Sequence, residues 1–199
     1  MLSRIISAIM ALILGICALP LMTALALLLL CFQGRPILFR QARSGYHQQT
    51  FTLVKFRTMR NTKNSDGQLL PDDLRMTGIG RFIRRTRLDE LPELWNIWRG
   101  EMAFVGPRPL LPDTVASFGK NGDRRAMVPP GLTGWAQING NTLLSQHEKL
   151  DLDLWYVERH TLMLDISIII RTVKIVLLGE KINKKNLEQA IARSHYRSR

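Results

Sequence analysis

The sequence predicts an α/β fold that is mostly helical, in the form of a single membrane-associated domain preceded by an apolar helix. Three observations support this class. No charged residue occurs from Ile5 to Gly34. The stretch that follows alternates apolar and polar residues as half-buried strands do, and much of the remaining chain spaces its apolar residues as helices do. At 199 residues the chain is long enough for one domain with a sizeable core.

The apolar segment can either cross a membrane or turn back within it. As one straight helix, residues 5–32 would be about 42 Å long, against a hydrocarbon core of about 30 Å. Pro20 lies near the middle, where it removes a backbone hydrogen bond and predicts a kink or break. Arginines flank both ends, at Arg4 and from Arg35 onward, which favours both ends on the cytoplasmic side. On these observations, re-entry and a kinked crossing both stay open.

The rest of the chain shows no linker that would divide it. We therefore expect residues 1–34 to form the membrane helix and residues 35–199 to form one domain. Residues 36–59 predict a β-hairpin with its turn at Ser44-Gly45. Residues 162–178 predict an amphipathic helix that lies either on the core or on the membrane surface.

The distribution of charge favours an anionic partner. The net charge is +12, and no Asp or Glu precedes Asp66, whereas eight Lys and Arg residues do. Such a field attracts lipid headgroups, phosphorylated substrates or nucleic acid. Both cysteines, Cys17 and Cys31, lie in the apolar segment, where they suit neither a disulfide framework nor a thiolate nucleophile.

Asp89 and Glu90 stand side by side after a run of arginines. One interpretation is a capping box that begins at Thr86, but Pro92 would then fall beyond the first turn, where it costs a hydrogen bond. If the helix begins at residues 89–91 instead, the first turn tolerates Pro92. Both carboxylates then stand at a helix N-terminus, which keeps Asp89 ionised and offers N–H groups to an anion.

An ionised aspartate can attack phosphorus if cations offset its repulsion from the phosphate. The nearby cations are Arg81, Arg84, Arg85, Arg87 and Arg108. Mg²⁺ on the acids and the phosphate oxygens would complete the neutralisation. These residues predict a phosphate-handling site, with a solvated acidic surface as the alternative.

Two other functions are compatible with parts of the chain. Asp151 and Asp153 form a D-x-D pattern, with which a metal-dependent nucleotide-sugar glycosyltransferase can hold its metal. The pattern lies in a helical stretch, so a solvated or helix-pairing face is favoured. A non-enzymatic basic module that binds lipid or nucleic acid is the second alternative.

Four motifs together resemble those of the bacterial sugar transferase family, whose small monotopic members are phosphoglycosyl transferases that begin glycan assembly on undecaprenyl phosphate. The motifs are KFRTM (55–59), LDELPELWN (88–96), FVGPRPLLP (104–112) and PGLTGWAQING (130–140). The resemblance covers nearly the whole chain in order and with close spacing. It implies a membrane helix that re-enters at Pro20, and a catalytic domain on the cytoplasmic face of the bacterial inner membrane.

The resemblance also implies a reaction in two steps. Asp89 attacks the β-phosphate of a UDP-sugar, UMP leaves, and undecaprenyl phosphate then takes the phosphosugar from the aspartate. Glu90 is implied as the partner acid, and Mg²⁺ as a cofactor bound by Asp89. Asp165 is implied as a polar partner in the fold near the site. The positions implied to face substrate are Lys55, Arg84, Arg108 and Asn141.

Three positions depart from the family's pattern: Leu19 replaces a serine before Pro20, and Pro129 and Asn141 stand where arginines are frequent. The last two put the choice of donor in doubt more than the type of reaction. We expect a UDP-sugar donor, with an N-acetylated hexosamine or a related amino sugar as the first choice. The other expected partners are undecaprenyl phosphate and membrane lipids, without nucleic acid. The sequence leaves open whether the chain forms a homodimer.

Overall fold

A computed structural model describes the backbone of residues 2–197 and the side chains of residues 5–193. The chain is mostly helical and carries two small sheets, which confirms the predicted mostly helical class. The helices are α1 (Leu2–Gln33), α2 (Asp72–Arg75), α3 (Gly78–Arg85), α4 (Leu94–Trp98), α5 (Pro112–Ser117), α6 (Lys120–Arg125), α7 (Trp135–Ile138), α8 (Gln146–Arg159), α9 (Leu162–Leu178) and α10 (Lys184–Arg197). The strands are β1 (Leu38–Ser44), β2 (Thr50–Phe56), β3 (Ala103–Val105) and β4 (Gly131–Thr133). Short 3-10 segments lie at Tyr46–Gln48, Leu88–Glu93 and Asn141–Leu143.

Helix α1 runs without interruption through Pro20. Among the described residues it is the helix long and apolar enough to cross a membrane, with a mean hydropathy of 2.6 over Ile5–Gln33. Thr23 Oγ1 donates to the carbonyl of Leu19 at 2.9 Å, beside the proline. The helical run is compatible with crossing and with re-entry, because a proline can bend a helix without ending it.

Both halves of α1 pack against the rest of the chain. Ala11 is buried in a cluster with residues of β2 and α4, including Leu53 and Ile97. Leu25 and Leu29 belong to a second cluster that contains Ile83. The apolar helix therefore supports the strands and helices that carry the candidate site.

Arg57 fixes the exit of the chain from α1. Its Nε donates to the carbonyl of Pro36 at 2.6 Å. Its Nη2 donates to the carbonyls of Gln33 at 2.8 Å and Gly34 at 2.7 Å. These carbonyls lie at and after a helix C-terminus, where they have no partner within the helix. A buried arginine thus supplies the donors that the helix end lacks.

The predicted hairpin is confirmed. Strands β1 and β2 pair antiparallel, with Leu38 opposite Phe56. The connection begins at the predicted turn and is closed by a 2.9 Å hydrogen bond from the Gly45 N–H to the Gln49 carbonyl. Phe51 and Leu53 are buried, and Lys55 continues their alternation, so it points to the same side of the hairpin.

The C-terminal half packs around α8. The rings of Trp135 and Trp155 stack with centroids 4.7 Å apart, and the side chains of Leu152 and Ile168 are fully buried. The short strands β3 and β4 pair in parallel. A Cβ on Gly131 would lie 2.0 Å from the Gly106 nitrogen, so glycine is required for this close approach.

Helix α9 coincides with the predicted helix over 162–178. Its buried face is centred on Ile168. The apolar stripe predicted from the sequence lies on the opposite face, where Leu162 is 77 % exposed and Val173 is 57 % exposed. Helix α9 therefore packs on the core through the face of Ile168, while the apolar stripe is exposed and its location on the membrane surface stays a prediction.

Candidate active site

The path of the chain into the acidic pair differs from a capping box. Thr86 Oγ1 donates to the carbonyl of Phe82 at 2.9 Å, so Thr86 closes helix α3 instead of opening the next helix. Arg87 follows in the left-handed region, with φ of 56°, and turns the chain. The 3-10 segment Leu88–Glu93 then begins, with Pro92 inside it. The predicted helix start at residues 89–91 is therefore correct to within a residue, because the segment begins at Leu88. The capping box at Thr86 is wrong.

All the catalytic and substrate-facing residues that the resemblance implies line one cavity of about 640 Å³, whereas Arg81, one of the cations noted in the sequence, is exposed on α3 and lies outside its lining. Those residues are Lys55, Arg84, Asp89, Glu90, Arg108 and Asn141. Arg85, Arg87 and Thr142 add polar side chains, and residues 175–180 close one side. The structure thus brings the predicted residues together, while their individual roles stay predictions.

Glu90 is bound by arginines on both oxygens. Arg108 Nη2 donates to Oε1 at 2.8 Å, and Arg87 Nη1 lies 3.5 Å from Oε2. Burial acts to raise the pKa of Glu90, but the charges of Arg108 and Arg87 outweigh it and lower that pKa below its usual range. Glu90 is therefore ionised, and its oxygens are already occupied.

Asp89 is buried, and the polar group that contacts its carboxylate is its own backbone N–H. It is 5 % exposed, and no other described side chain forms a hydrogen bond or ion pair with it. Burial and the charge of Glu90 raise the pKa of Asp89, while Lys55 and Arg84 act in the opposite direction. The pKa of Asp89 is therefore raised, the opposite direction to that expected from a helix N-terminus.

Lys55 presents an ammonium group that no described hydrogen-bond acceptor holds. Its Nζ lies 5.7 Å from the centroid of the Phe39 ring. Burial and the charge of Arg108 lower the pKa of Lys55. An anionic ligand would favour the charged form, so Lys55 is suited to meet a phosphate.

Sequence analysis missed Glu93, the third buried carboxyl group of this segment. Glu93 is 4 % exposed. Burial and the charge of Glu90 raise the pKa of Glu93 to about 8. Its position four residues after Asp89 was the available signal.

Sequence analysis also missed Glu180, which joins two walls of the cavity. Its carboxylate accepts hydrogen bonds from Asn141 Nδ2, from the Thr142 hydroxyl and, at 3.2 Å, from the Thr142 N–H. Arg87 Nη2 lies 3.6 Å from Oε1. The only sequence signal was an acid directly after the glycine that ends α9.

Three other predicted acids lie away from the cavity lining. Asp165 Oδ1 accepts a hydrogen bond from the Tyr156 hydroxyl at 2.7 Å, as a polar partner within the fold. Asp153 is buried and pairs with Arg125 Nε at 2.8 Å. Asp151 lines a different, shallow pocket. Asp153 lines a separate pocket beside Arg108 and Arg125, so the two carboxylates of the D-x-D pattern do not converge on one site.

The acids of the cavity fit a magnesium ion that is shared with a substrate. Within residues 5–193, no three His, Cys, Asp or Glu side chains converge as a metal site. Mg²⁺, however, is commonly held by one or two carboxylates together with substrate phosphates. Asp89 has free oxygens for this, whereas Glu90 is bound by Arg87 and Arg108.

Known proteins resemble this chain over most of its length. The family model for the bacterial sugar transferases matches residues 1–179. An uncharacterized sugar transferase EpsL of Bacillus subtilis (strain 168) is 47% identical over 153 residues, which are 77% of this chain and 76% of that protein. An undecaprenyl-phosphate glucose phosphotransferase of Komagataeibacter xylinus is 42% identical over 170 residues, 78% of this chain and 32% of that protein. An undecaprenyl-phosphate galactose phosphotransferase of Salmonella typhimurium (strain LT2) is 36% identical over 163 residues, 72% of this chain and 34% of that protein.

This chain therefore spans about a third of the length of the two phosphotransferases and about three quarters of EpsL. The family match includes the apolar helix α1, the segment of Asp89 and Glu90, and nearly the whole cavity lining. From this match, the chain belongs to the bacterial sugar transferase family.

Proposed function

We propose that the chain is a polyprenyl-phosphate sugar-1-phosphate transferase, which moves a sugar 1-phosphate from a UDP-sugar to undecaprenyl phosphate. The observation that carries this proposal is the Asp89 carboxylate, which no other described side chain binds, in a cavity lined by Lys55 and four arginines. An anionic diphosphate fits such a cavity, because the cations offset both its charge and that of the nucleophile. The names of the two phosphotransferases support undecaprenyl phosphate as the acceptor.

In the first step, an Asp89 carboxylate oxygen attacks the β-phosphorus of the UDP-sugar. The bond from that phosphorus to the bridging oxygen breaks, and UMP leaves with the electron pair. Lys55, Arg84 and Arg108 stabilise the charge that develops on the phosphate oxygens. Mg²⁺ held by Asp89 and the diphosphate would supply further charge neutralisation.

In the second step, a phosphate oxygen of undecaprenyl phosphate attacks the phosphorus carried by Asp89. The aspartyl oxygen–phosphorus bond breaks, which restores the carboxylate and leaves the sugar on an undecaprenyl diphosphate. The covalent intermediate lets a soluble donor and a membrane-bound acceptor use one site in turn. The apolar residues 175–178 on one side of the cavity limit the water that would hydrolyse the intermediate.

The exposed apolar surface supports a membrane location for the whole domain. Trp95 and Trp98 are 53 % and 41 % exposed, and one face of α9 is apolar and exposed. Tryptophan is typical of the membrane interface, where an apolar body and a polar N–H both find partners. We place the domain on the cytoplasmic face of the bacterial inner membrane, with membrane lipids against these surfaces.

The packing of α1 supports re-entry over crossing. Ala11 and Leu29 both contact the domain, although 18 residues of helix, about 27 Å, separate them. A helix that stood across the bilayer would carry its packed partners through it. Single cysteines at Ser3 and Gln41, on either side of the apolar segment and with Cys17 and Cys31 replaced by serine, test this arrangement. Labelling of both from the cytoplasmic side is expected, whereas labelling from opposite sides rules out re-entry.

The reaction is tested without its acceptor. We expect the purified chain, given Mg²⁺ and a UDP-sugar, to release UMP and to carry a sugar phosphate on Asp89, detected by mass spectrometry of its peptides. The donors to compare are UDP-glucose, UDP-galactose and the UDP-N-acetylhexosamines, of which we expect an N-acetylated sugar to react fastest. The variant Asp89→Asn should release no UMP. Release of UDP would support a conventional glycosyltransferase, and an adduct on Glu90 would overturn the choice of nucleophile.

A further inference from the structure

A second cavity of about 400 Å³ lies beside the active site. Lys55 and Arg84 line both cavities, so these two side chains form part of the wall between them. Apart from Lys55 and Arg84, the charged residues that line the second cavity are Arg43, Arg57, Arg75 and Asp72. The second cavity therefore has five cationic side chains and one carboxylate.

The positive charge of the second cavity is only partly compensated within the chain. Asp72 accepts a hydrogen bond from Arg75 Nη2, and Arg57 is held by the backbone carbonyls at the end of α1. Arg43 and Lys55 have no carboxylate within salt-bridge distance among the described residues. Burial lowers the pKa of Arg43, with the charge of Arg108 as the next cause. Buried charge without a counter-charge is costly, and a bound anion would offset that cost.

Two buried donors of the second cavity lack a partner. The Nε atoms of Arg43 and Arg75 are buried and have no hydrogen-bond acceptor. Arg43 Nη2 donates to Gln41 Oε1 at 2.7 Å, which fixes the position of that guanidinium. Its Nε has no acceptor among the described residues. Most buried N–H groups are satisfied in folded proteins. These two unsatisfied donors add to the cost of the uncompensated cations that line the cavity.

We propose that the second cavity is a binding subsite for a phosphate monoester dianion. Guanidinium and ammonium groups together bind the several oxygens of such a group through charge-assisted hydrogen bonds. The proposed function narrows the ligand to two monoesters, the leaving UMP and the phosphate of the polyprenyl acceptor. Both must pass close to Asp89, and the shared wall of Lys55 and Arg84 places the second cavity next to that path. The identity of the monoester rests on the proposed function, whereas the anion class rests on the cavity alone.

Binding without turnover is the first test. The full chain carrying Asp89→Asn is titrated by calorimetry with UMP, with inorganic phosphate and with farnesyl phosphate as a short polyprenyl monoester. We expect Arg43→Gln and Arg75→Gln to weaken binding of one organic monoester about tenfold, and Arg43→Lys to recover part of the loss. The matched control is Arg81→Gln, an exposed arginine on α3 outside both cavities, which should bind as its parent does. Thermal unfolding identifies any variant that fails to fold. The affinities of the folded cavity variants then decide whether the cavity binds a monoester.

The affected monoester identifies the source. Loss of UMP affinity alone assigns the subsite to the leaving nucleotide, and loss of farnesyl phosphate affinity alone assigns it to the acceptor. Unchanged affinity for UMP, inorganic phosphate and farnesyl phosphate in the folded cavity variants overturns the proposal. Because the titrations contain no sugar donor, they measure binding alone, and a failure of the transferase proposal is distinguishable from a failure of this one. If the subsite binds the acceptor, a further result is expected in chains that keep Asp89. There, Arg43→Gln and Arg75→Gln should form the adduct at the rate of the parent and show a raised KM for the polyprenyl phosphate.

Discussion

Arg108 Nη2 and Glu90 Oε1 are joined by a hydrogen bond of 2.8 Å across 18 residues of sequence. This pair ties the loop after β3 to the segment of the candidate nucleophile. It also compensates the charge of Glu90, so that Asp89 is the acid of the pair that no other described side chain binds and that a substrate can reach.

Removal of Arg108 should damage both activity and stability. Arg108→Met leaves the buried Glu90 carboxylate with only the longer contact to Arg87, and loses a cation that faces the phosphate. We expect the transfer rate to fall by about 100-fold and the melting temperature to drop. The double variant Arg108→Met/Glu90→Gln should regain the melting temperature, since no buried charge is left unpaired, but not the rate. Recovery of the rate by the double variant would mean that Arg108 serves only to compensate Glu90.

Asp89→Asn should separate stability from function. Burial and the charge of Glu90 raise the pKa of Asp89, so its ionised form costs folding free energy in the chain alone. A neutral asparagine avoids that cost. We expect the variant to melt at the same or a higher temperature than the parent at pH 8, and to form no adduct. A large fall in melting temperature would show that the Asp89 carboxylate is structural.

Glu93 should make stability dependent on pH. Its pKa is raised from 4.5 to about 8 in the folded chain, so the folded state binds a proton that the unfolded state releases. Stability from this group is full below about pH 4.5 and falls as the pH rises towards 8. In thermal unfolding between pH 6 and 8.5, Glu93→Gln should therefore lose less stability with rising pH than the parent. The same change of stability with pH in the variant and in the parent would exclude Glu93 as the source of the pH dependence.

The two acids of the D-x-D pattern should differ sharply. Asp153→Ala leaves Arg125 buried without its partner, at a cost of about 3–5 kcal/mol. Asp151 forms no ion pair with a described side chain, so Asp151→Ala should change the free energy of unfolding by less than about 0.5 kcal/mol and the activity by less than about twofold. Loss of activity in a stably folded Asp151→Ala variant would revive the glycosyltransferase alternative.

Glu180 should act on donor binding more than on chemistry. It holds Asn141 and Thr142 against the cavity through hydrogen bonds. We expect Glu180→Ala to raise the KM for the UDP-sugar about tenfold and to change kcat by less than about threefold. The matched control Glu188→Ala, an exposed acid on α10, should leave both parameters unchanged. An equal fall in kcat instead would assign Glu180 to the transition state.

Local pattern was sufficient for the elements that a short stretch of chain determines. The length and apolarity of residues 5–34 predict α1, and the alternation around Lys55 predicts the hairpin. Pro92 also indicated where the helical segment of Asp89 could begin. The four motifs indicated the family, and with it the residues that share one cavity.

The capping box at Thr86 shows where local pattern fails. Its spacing is correct, but the Thr86 hydroxyl is used by the turn before it, because Arg87 reverses the chain in the left-handed region. The stripe on α9 shows a second limit of local pattern, since helical spacing identifies an apolar face without showing what covers it.

The sequence by itself determined the apolar helix, the hairpin, the acidic pair and the excess of cations around it. Only the tertiary structure decided which acid is free. Arg108 and Arg87 bind the carboxylate of Glu90, and Arg125 pairs with Asp153. Glu180 accepts a hydrogen bond from Asn141 and so holds its loop. The physical reason is that the state of a buried carboxylate depends on the charges and donors within a few ångströms of it, and distant parts of the chain supply them.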